Sequence, residues 1–183
     1  MPRAADPELE SRVLKAAQKL WAAGGQKSLT MRAVAQAAGT NTPAVYRRFR
    51  DRRALLRALL QHHQAALAVL IRKCNSLQEI AHCVLNYALE HPREYELIAS
   101  RFVITSHMPR PNFEYVVQKA AEWLGGKPEQ HRLMIIAVWS LVHGTAMLLI
   151  NDVIPEHEAK VRAAFSIAVE ELVRNHARFT KKR

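Results

Sequence analysis

Residues 42–48, Thr-Pro-Ala-Val-Tyr-Arg-Arg, bring small side chains, a phenol and two guanidiniums together within two helical turns. That set suits contact with a polyanion. Thr42, Pro43 and Ala44 are small enough to let the backbone approach base edges, and Ala44 or the methyl of Thr42 fits a thymine methyl. Tyr46 can donate its hydroxyl to a phosphate, and Arg47 and Arg48 can reach phosphate or pair with guanine through two parallel hydrogen bonds. Upstream, Thr30 opens a helix whose N-terminus can hold another phosphate, and Arg32 and Arg52 fall where further backbone contacts belong. With Arg50 and Arg53, the same arginines would also make an ordinary solvated face, so residue types alone leave both readings open.

Other chemistry is poorly supplied. No glycine-rich phosphate loop with its lysine is present, and no serine sits in a recognisable nucleophile turn. His62 and His63 are adjacent, so on a helix they point about 100° apart and do not share a metal easily. His82-Cys83 has the same difficulty. Cys74 and Cys83 are the only cysteines, too few for a disulfide framework, and read as small apolar residues of a reducing cytoplasm. The sequence therefore predicts no enzyme, no metal and no cofactor.

The elements around residues 42–48 are legible as punctuation. Asp6-Pro7-Glu8 is a helix start, and Val13, Leu14, Ala17, Leu20 and Trp21 recur at helical spacing until Gly24-Gly25. Thr30 caps a short second helix, MRAVAQAA, with Ala33, Val34 and Ala37 inward. Gly39 permits a sharp turn, and Asn41 caps a third short helix, TPAVYRRF, with Val45 and Phe49 inward. Two short helices about a turn of roughly four residues, over 28–49, make a helix-turn-helix. Asp51 caps a fourth helix over about 52–72, with Leu55, Leu56, Leu59 and Leu60 facing a core. Ser76 and Glu79 make a capping box for a fifth, ended by Pro92. A sixth spans about 93–105, and a seventh follows the Met108–Pro111 loop and ends at Gly125-Gly126. Pro128 starts a long apolar helix to about Asn151, Pro155 starts the last, to about His176, and Arg178–Arg183 reads as a frayed basic tail. The expected fold is all-α, about nine helices: a helix-turn-helix domain over 1–51 and a helical bundle over 52–183.

Bulk properties agree. Of 183 residues, 49% are hydrophobic, enough for a packed core. Residues 1–60 hold 12 Lys/Arg against 4 Asp/Glu, and residues 61–183 hold 15 against 12, so the net +11 is concentrated at one end. A basic small unit joined to a nearly balanced larger one points to a polyanion partner. Leu133–Ile150 runs 18 residues without a charge, near the length that spans a bilayer. His143, Ser140 and Thr145 interrupt it and no second segment stands beside it, so a helix buried on all sides, in a core or a dimer interface, is the better reading. The start MPRAADPELE carries no apolar signal core, which predicts a cytoplasmic protein.

The segment LTMRAVAQAAGTNTPAVYRRFRDRRALLRALL strongly resembles the DNA-binding domain of the TetR family. The matching features are Thr30, the Ala-Gly turn, Asn41, the Val-Tyr pair, Phe49, Asp51, Arg52 and the Leu55-Leu56 pair, within a likeness covering about residues 8–60. Arg48 departs from the pattern, where histidine is frequent. HPREYELIASRF is similar to a frequent start of the family's central part, and Trp139 through Gly144 to the Trp-x-x-x-His-Gly signature of one subgroup. The resemblance implies a homodimer through the last two helices, a double-stranded DNA operator, and a small-molecule effector within the second domain. The residues agree: Val161, Ala164, Phe165, Ala168 and Leu172 form one stripe of the last helix, and Ala137, Ser140, Gly144 and Ala146 allow its neighbour close approach. Candidate effector-lining residues are Phe102, Met108, Trp123, Met134, Trp139, His143 and Met147. Against this stands a non-specific basic nucleic-acid binder, or a helical partner-binding module without a sensor.

Overall fold

The computed structural model describes residues 8–99 and 110–180, and every regular element among them is a helix. The chain divides into two compact units, one formed by residues 1–64 with 93–106, the other by 65–92 with 107–183.

In the first unit, α1 (Leu9–Ser28) buries Val13, Ala16, Ala17 and Trp21 along one stripe. Gly25 interrupts it at φ 60°, ψ −141°, a conformation only glycine adopts freely, and one further turn follows. α2 (Met31–Ala37) buries Met31, Val34 and Ala35, with Ala38 just beyond. Its inward face is thus turned from the expected Ala33–Val34–Ala37 stripe: Ala33 is half-buried and Ala37 exposed. α3 (Thr42–Arg48) packs on α2 through Ala44 and Val45. α4 (Arg52–Ile71) starts on Asp51, whose carboxylate accepts from the Ala54 amide at 2.7 Å. Leu55, Leu56, Leu59 and Leu60 are all but inaccessible, each worth about 2 kcal/mol of burial. α6 (Pro92–Ala99) contributes Tyr95 and Leu97; burial pushes the Tyr95 phenol up to about 12. Two hydrogen bonds join its start to α1: Trp21 Nε1 donates to the Arg93 carbonyl at 2.8 Å, and the Arg93 guanidinium donates to the Ala22 carbonyl. The expected start at Asp6-Pro7 and the sixth helix beyond Ala99 lie outside the described residues.

The second unit takes the last turns of α4, then α5 (Leu77–Glu90), α7 (Pro111–Leu124), α8 (Pro128–Ile150), α9 (Glu158–Arg174) and a short α10 (Ala177–Thr180). Ser76 caps α5 by accepting from the Glu79 amide at 3.1 Å, while Glu79 returns its carboxylate to the Asn75 amide rather than to Ser76. α8 is the hub, packed against α5, α7, α9 and α10. α9 begins three residues after Pro155, capped by His157, because the chain leaves α8 through Asp152 at φ 50°. Ala177–Thr180 form a helical turn where a frayed tail was expected.

Two helices, α4 and α8, are long and apolar enough to cross a membrane by length and composition, which corrects the expectation that α8 stands alone. α4 reaches that composition through the leucines it packs inward. α8 buries Met134, Ile135, Val138, Val142 and Ala146 but leaves Leu133 62% exposed, with Ile136 and Leu148 also open. On α9, Phe165, Val169 and Val173 point into the unit and Ile167 is 64% exposed. The stripe expected for dimerisation is therefore divided: Phe165 belongs to the unit's own core, Val161, Ala168 and Leu172 are half-buried, and Ala164 is exposed, as is Ile167, which the stripe did not include.

Candidate nucleic-acid interface

Local geometry fixes the two short helices at both ends. Thr30 is extended (φ −111°, ψ 150°) and its hydroxyl oxygen accepts from the Ala33 amide at 3.1 Å. Asn41 does the same for α3, its side-chain oxygen accepting from the Ala44 amide at 2.9 Å. Each cap satisfies an amide that the first turn cannot. Between them α2 ends in a Schellman turn: the Thr40 amide donates to Ala35 at 2.9 Å, the Gly39 amide to Gln36 at 3.2 Å, and Gly39 sits at φ 65°.

This turn presents Pro43, Tyr46, Arg47 and Arg48 outward, with Thr42 half-exposed. Tyr46 is 49% exposed, unusual for an aromatic with a core beside it. Arg32, Arg50, Arg53 and Arg57 are exposed as well. Residues 30–57 hold seven arginines and one acid, Asp51, whose carboxylate is occupied as a cap. The result is a strongly positive surface around two fixed helix starts.

Two expected contacts are placed differently. Ala44 is 4% exposed, turned with Val45 onto the α2 packing. Arg52 is drawn inward: its Nε donates to the Leu29 carbonyl at 2.7 Å and its Nη2 to Gln26 at 2.6 Å. Its position in a basic run gave no sign of this, since the carbonyls lie 23 and 26 residues away.

The candidate sensor residues of the second unit are scattered. Phe102 and Met108 lie outside the described residues. Met134 is fully buried on the inner face of α8. Trp139, His143 and Met147 follow one another at i, i+4, i+8 along a different flank. Trp139 is 42% exposed, tilted against Phe113 at 6.2 Å and beneath the Arg110 guanidinium. Trp123 is exposed at the end of α7, beside Lys119. Of the described candidates none lines a groove of about 370 Å³ among Leu89, Pro92, Leu148, Leu149, Ile150 and Ile154, with Asp152, Glu156 and Glu158 around them.

Metal and thiol chemistry find little here. Among the described residues no three His, Cys, Asp or Glu side chains are grouped to hold a metal. His62 and His63 stand edge to face, 85° apart. The Cys74 thiol donates to the Leu70 carbonyl at 3.7 Å; burial foremost, then the neighbouring Cys83, pushes it up to about 11.

Comparison with known proteins gives this geometry its family. Residues 13–59 match the model for bacterial regulatory proteins of the tetR family, and residues 77–172 that for the tetracyclin repressor-like C-terminal domain. No curated protein matches the chain. Among solved structures, a TetR variant from Acinetobacter baumannii AYE in complex with minocycline is similar at 24% identity and a TM-score of 0.68, over 93% of this chain and 97% of that one. A TetR-family transcriptional regulator from Streptomyces coelicolor is similar at 19% identity and a TM-score of 0.68, over 92% and 99%. The multidrug binding protein EbrR, complexed with imidazole, follows at 20% and 0.62, over 91% and 92%. With two family models covering the capped helix-turn-helix and the helical unit behind it, the chain belongs to the TetR family and is a DNA-binding transcriptional regulator.

Proposed function

We propose that the protein is a cytoplasmic homodimeric repressor that grips a near-palindromic operator through α3 of each copy and is released by a small, largely apolar effector held in the second unit. The observation that carries this reading is the outer face of α3. Pro43 and Thr42 permit close approach to bases, while Tyr46, Arg47 and Arg48 offer a hydroxyl and two guanidiniums at the level of the phosphates. Thr30, Arg32 and Asn41 frame it, and Arg52 acts from behind by holding the α1 end.

The exposed apolar faces of α8 and α9 support self-association, since Leu133, Ile136, Leu148 and Ile167 stand exposed among the described residues. A two-fold pair places the reading helices one turn of DNA apart, roughly 34–36 Å. An apolar effector is supported by the six aliphatic and proline residues that line the groove at the end of α8; its three carboxylates favour a cationic end.

Selection from random duplex DNA at about 150 mM salt tests the reading. One near-palindromic motif is expected. Recovery of no motif, with binding that collapses as salt rises, would replace sequence-specific regulation by non-specific phosphate contact.

A further inference from the structure

The joint between α1 and α2 is held from two sides. Gly25 breaks α1 at φ 60°, ψ −141°, and the carbonyls around the break are met by arginines from elsewhere in the chain. Arg52, the first residue of α4, takes Gln26 and Leu29. Arg93, at the start of α6, takes Ala22, and its own carbonyl is held at 2.8 Å by the indole N–H of Trp21, itself 5% exposed. A helix C-terminus carries partial negative charge and unpaired carbonyls, so guanidiniums there are favoured both as donors and as cations. Leu29 is fully buried and α2 begins two residues later, packed on α3. The direction of α2, and with it that of the reading helix, is therefore set at this joint.

We propose that Arg93 and Trp21 form a reciprocal latch through which α6 fixes the α1–α2 joint, making Arg93 a positioning residue for DNA reading. For its effect on affinity the proposal rests on the DNA-binding reading above; for its effect on the joint it does not. The two bonds run in opposite senses between neighbouring residues of α1 and a single residue of α6, so loss of either side chain group releases one of two ties. Arg93 is exposed, so its replacement opens no cavity.

The test compares Arg93→Ala, Arg93→Lys and Trp21→Phe in the full chain. Amide hydrogen exchange over residues 26–34 should quicken by roughly tenfold in Arg93→Ala and Trp21→Phe, and return to within about threefold of the parent in Arg93→Lys, which keeps a cationic donor. For the duplex selected by the parent protein, Arg93→Ala should weaken binding about tenfold with an unchanged salt slope. Unaltered exchange over 26–34 would overturn the latch. A salt slope lower by about one would also overturn it, by making Arg93 a phosphate contact. If the parent selects no duplex, the DNA-binding reading fails and the exchange rates alone decide the latch.

Discussion

Replacing Gly39 isolates one backbone conformation. Its φ of 65° closes the Schellman turn between α2 and α3, and a Cβ built there meets nothing within 4 Å. The cost of a side chain is thus conformational, with no clash added. The left-handed region costs an L-residue roughly 1–2 kcal/mol, and a methyl recovers about 0.4–1 kcal/mol by stiffening the unfolded chain. Gly39→Ala should therefore lose about 0.5–1 kcal/mol. Gly39→Val, β-branched and poorly suited to positive φ, should lose about 2 kcal/mol. Gly39→Asn should stay within about 0.5 kcal/mol of the parent, since asparagine tolerates this region. For a chain of this length the alanine and valine losses correspond to about 1–4 °C and 4–8 °C in the melting midpoint. Urea unfolding followed by ellipticity, with operator affinity alongside, measures the series. The order Asn, Ala, Val is the diagnostic; a valine variant that folds and binds like the parent would refute the assignment of this turn.

Tyr46→Ala and Arg47→Ala should each weaken operator binding by about tenfold or more without lowering the melting midpoint, since both side chains are exposed; normal binding by both would move the reading surface off α3. Ile167→Glu places a charge on the 64% exposed outer face of α9 and, by two-fold symmetry, twice in the proposed interface; sedimentation should show self-association weakened, with Kd raised about a hundredfold, and an unshifted equilibrium would move the dimer contact elsewhere. The hydrogen bonds and charge of Arg132 hold the Glu114 carboxyl below its ordinary range. A depressed carboxyl stabilises at neutral pH and loses that contribution as pH falls through its folded value, so Arg132→Ala should raise the Glu114 titration midpoint and flatten this acid-side dependence; an unmoved carboxyl resonance would contradict the pairing.

The caps were legible because their cause is local. Thr30, Asn41 and Asp51 each bond an amide three residues on, so an acceptor side chain before an apolar-periodic run suffices to place them. Facing was less legible. A helix of seven residues completes only two turns, and the inward stripe of α2 is read one position off from Met31, Val34, Ala35 and Ala38, as Ala44 is on α3. Arg52 and Arg93 were illegible for another reason. Their partners lie 23 and 71 residues away, and nothing in the neighbouring residues distinguishes an arginine bound for phosphate from one bound for a distant backbone carbonyl.

The apolar length of α8 shows where composition and structure divide the question differently. A bilayer, a core and an interface all ask for 18 uncharged residues. The chain itself covers only the Met134–Val138–Val142 side. The opposite side leaves Leu133 and Ile136 exposed, Leu148 is open toward the end of the helix, and α9 adds an exposed Ile167. Half-exposed aliphatics gain about 1 kcal/mol each on full burial, about 8 kcal/mol over two copies. Association costs roughly 4–15 kcal/mol, so these four side chains bring a pair only near balance. In the proposed pair the small residues between them, Ser140 and Gly144, would let a second α8 approach closely enough for side-chain contact. A second copy of α8 is therefore the partner that the proposed pair assigns to this face, and the Ile167→Glu sedimentation experiment decides it.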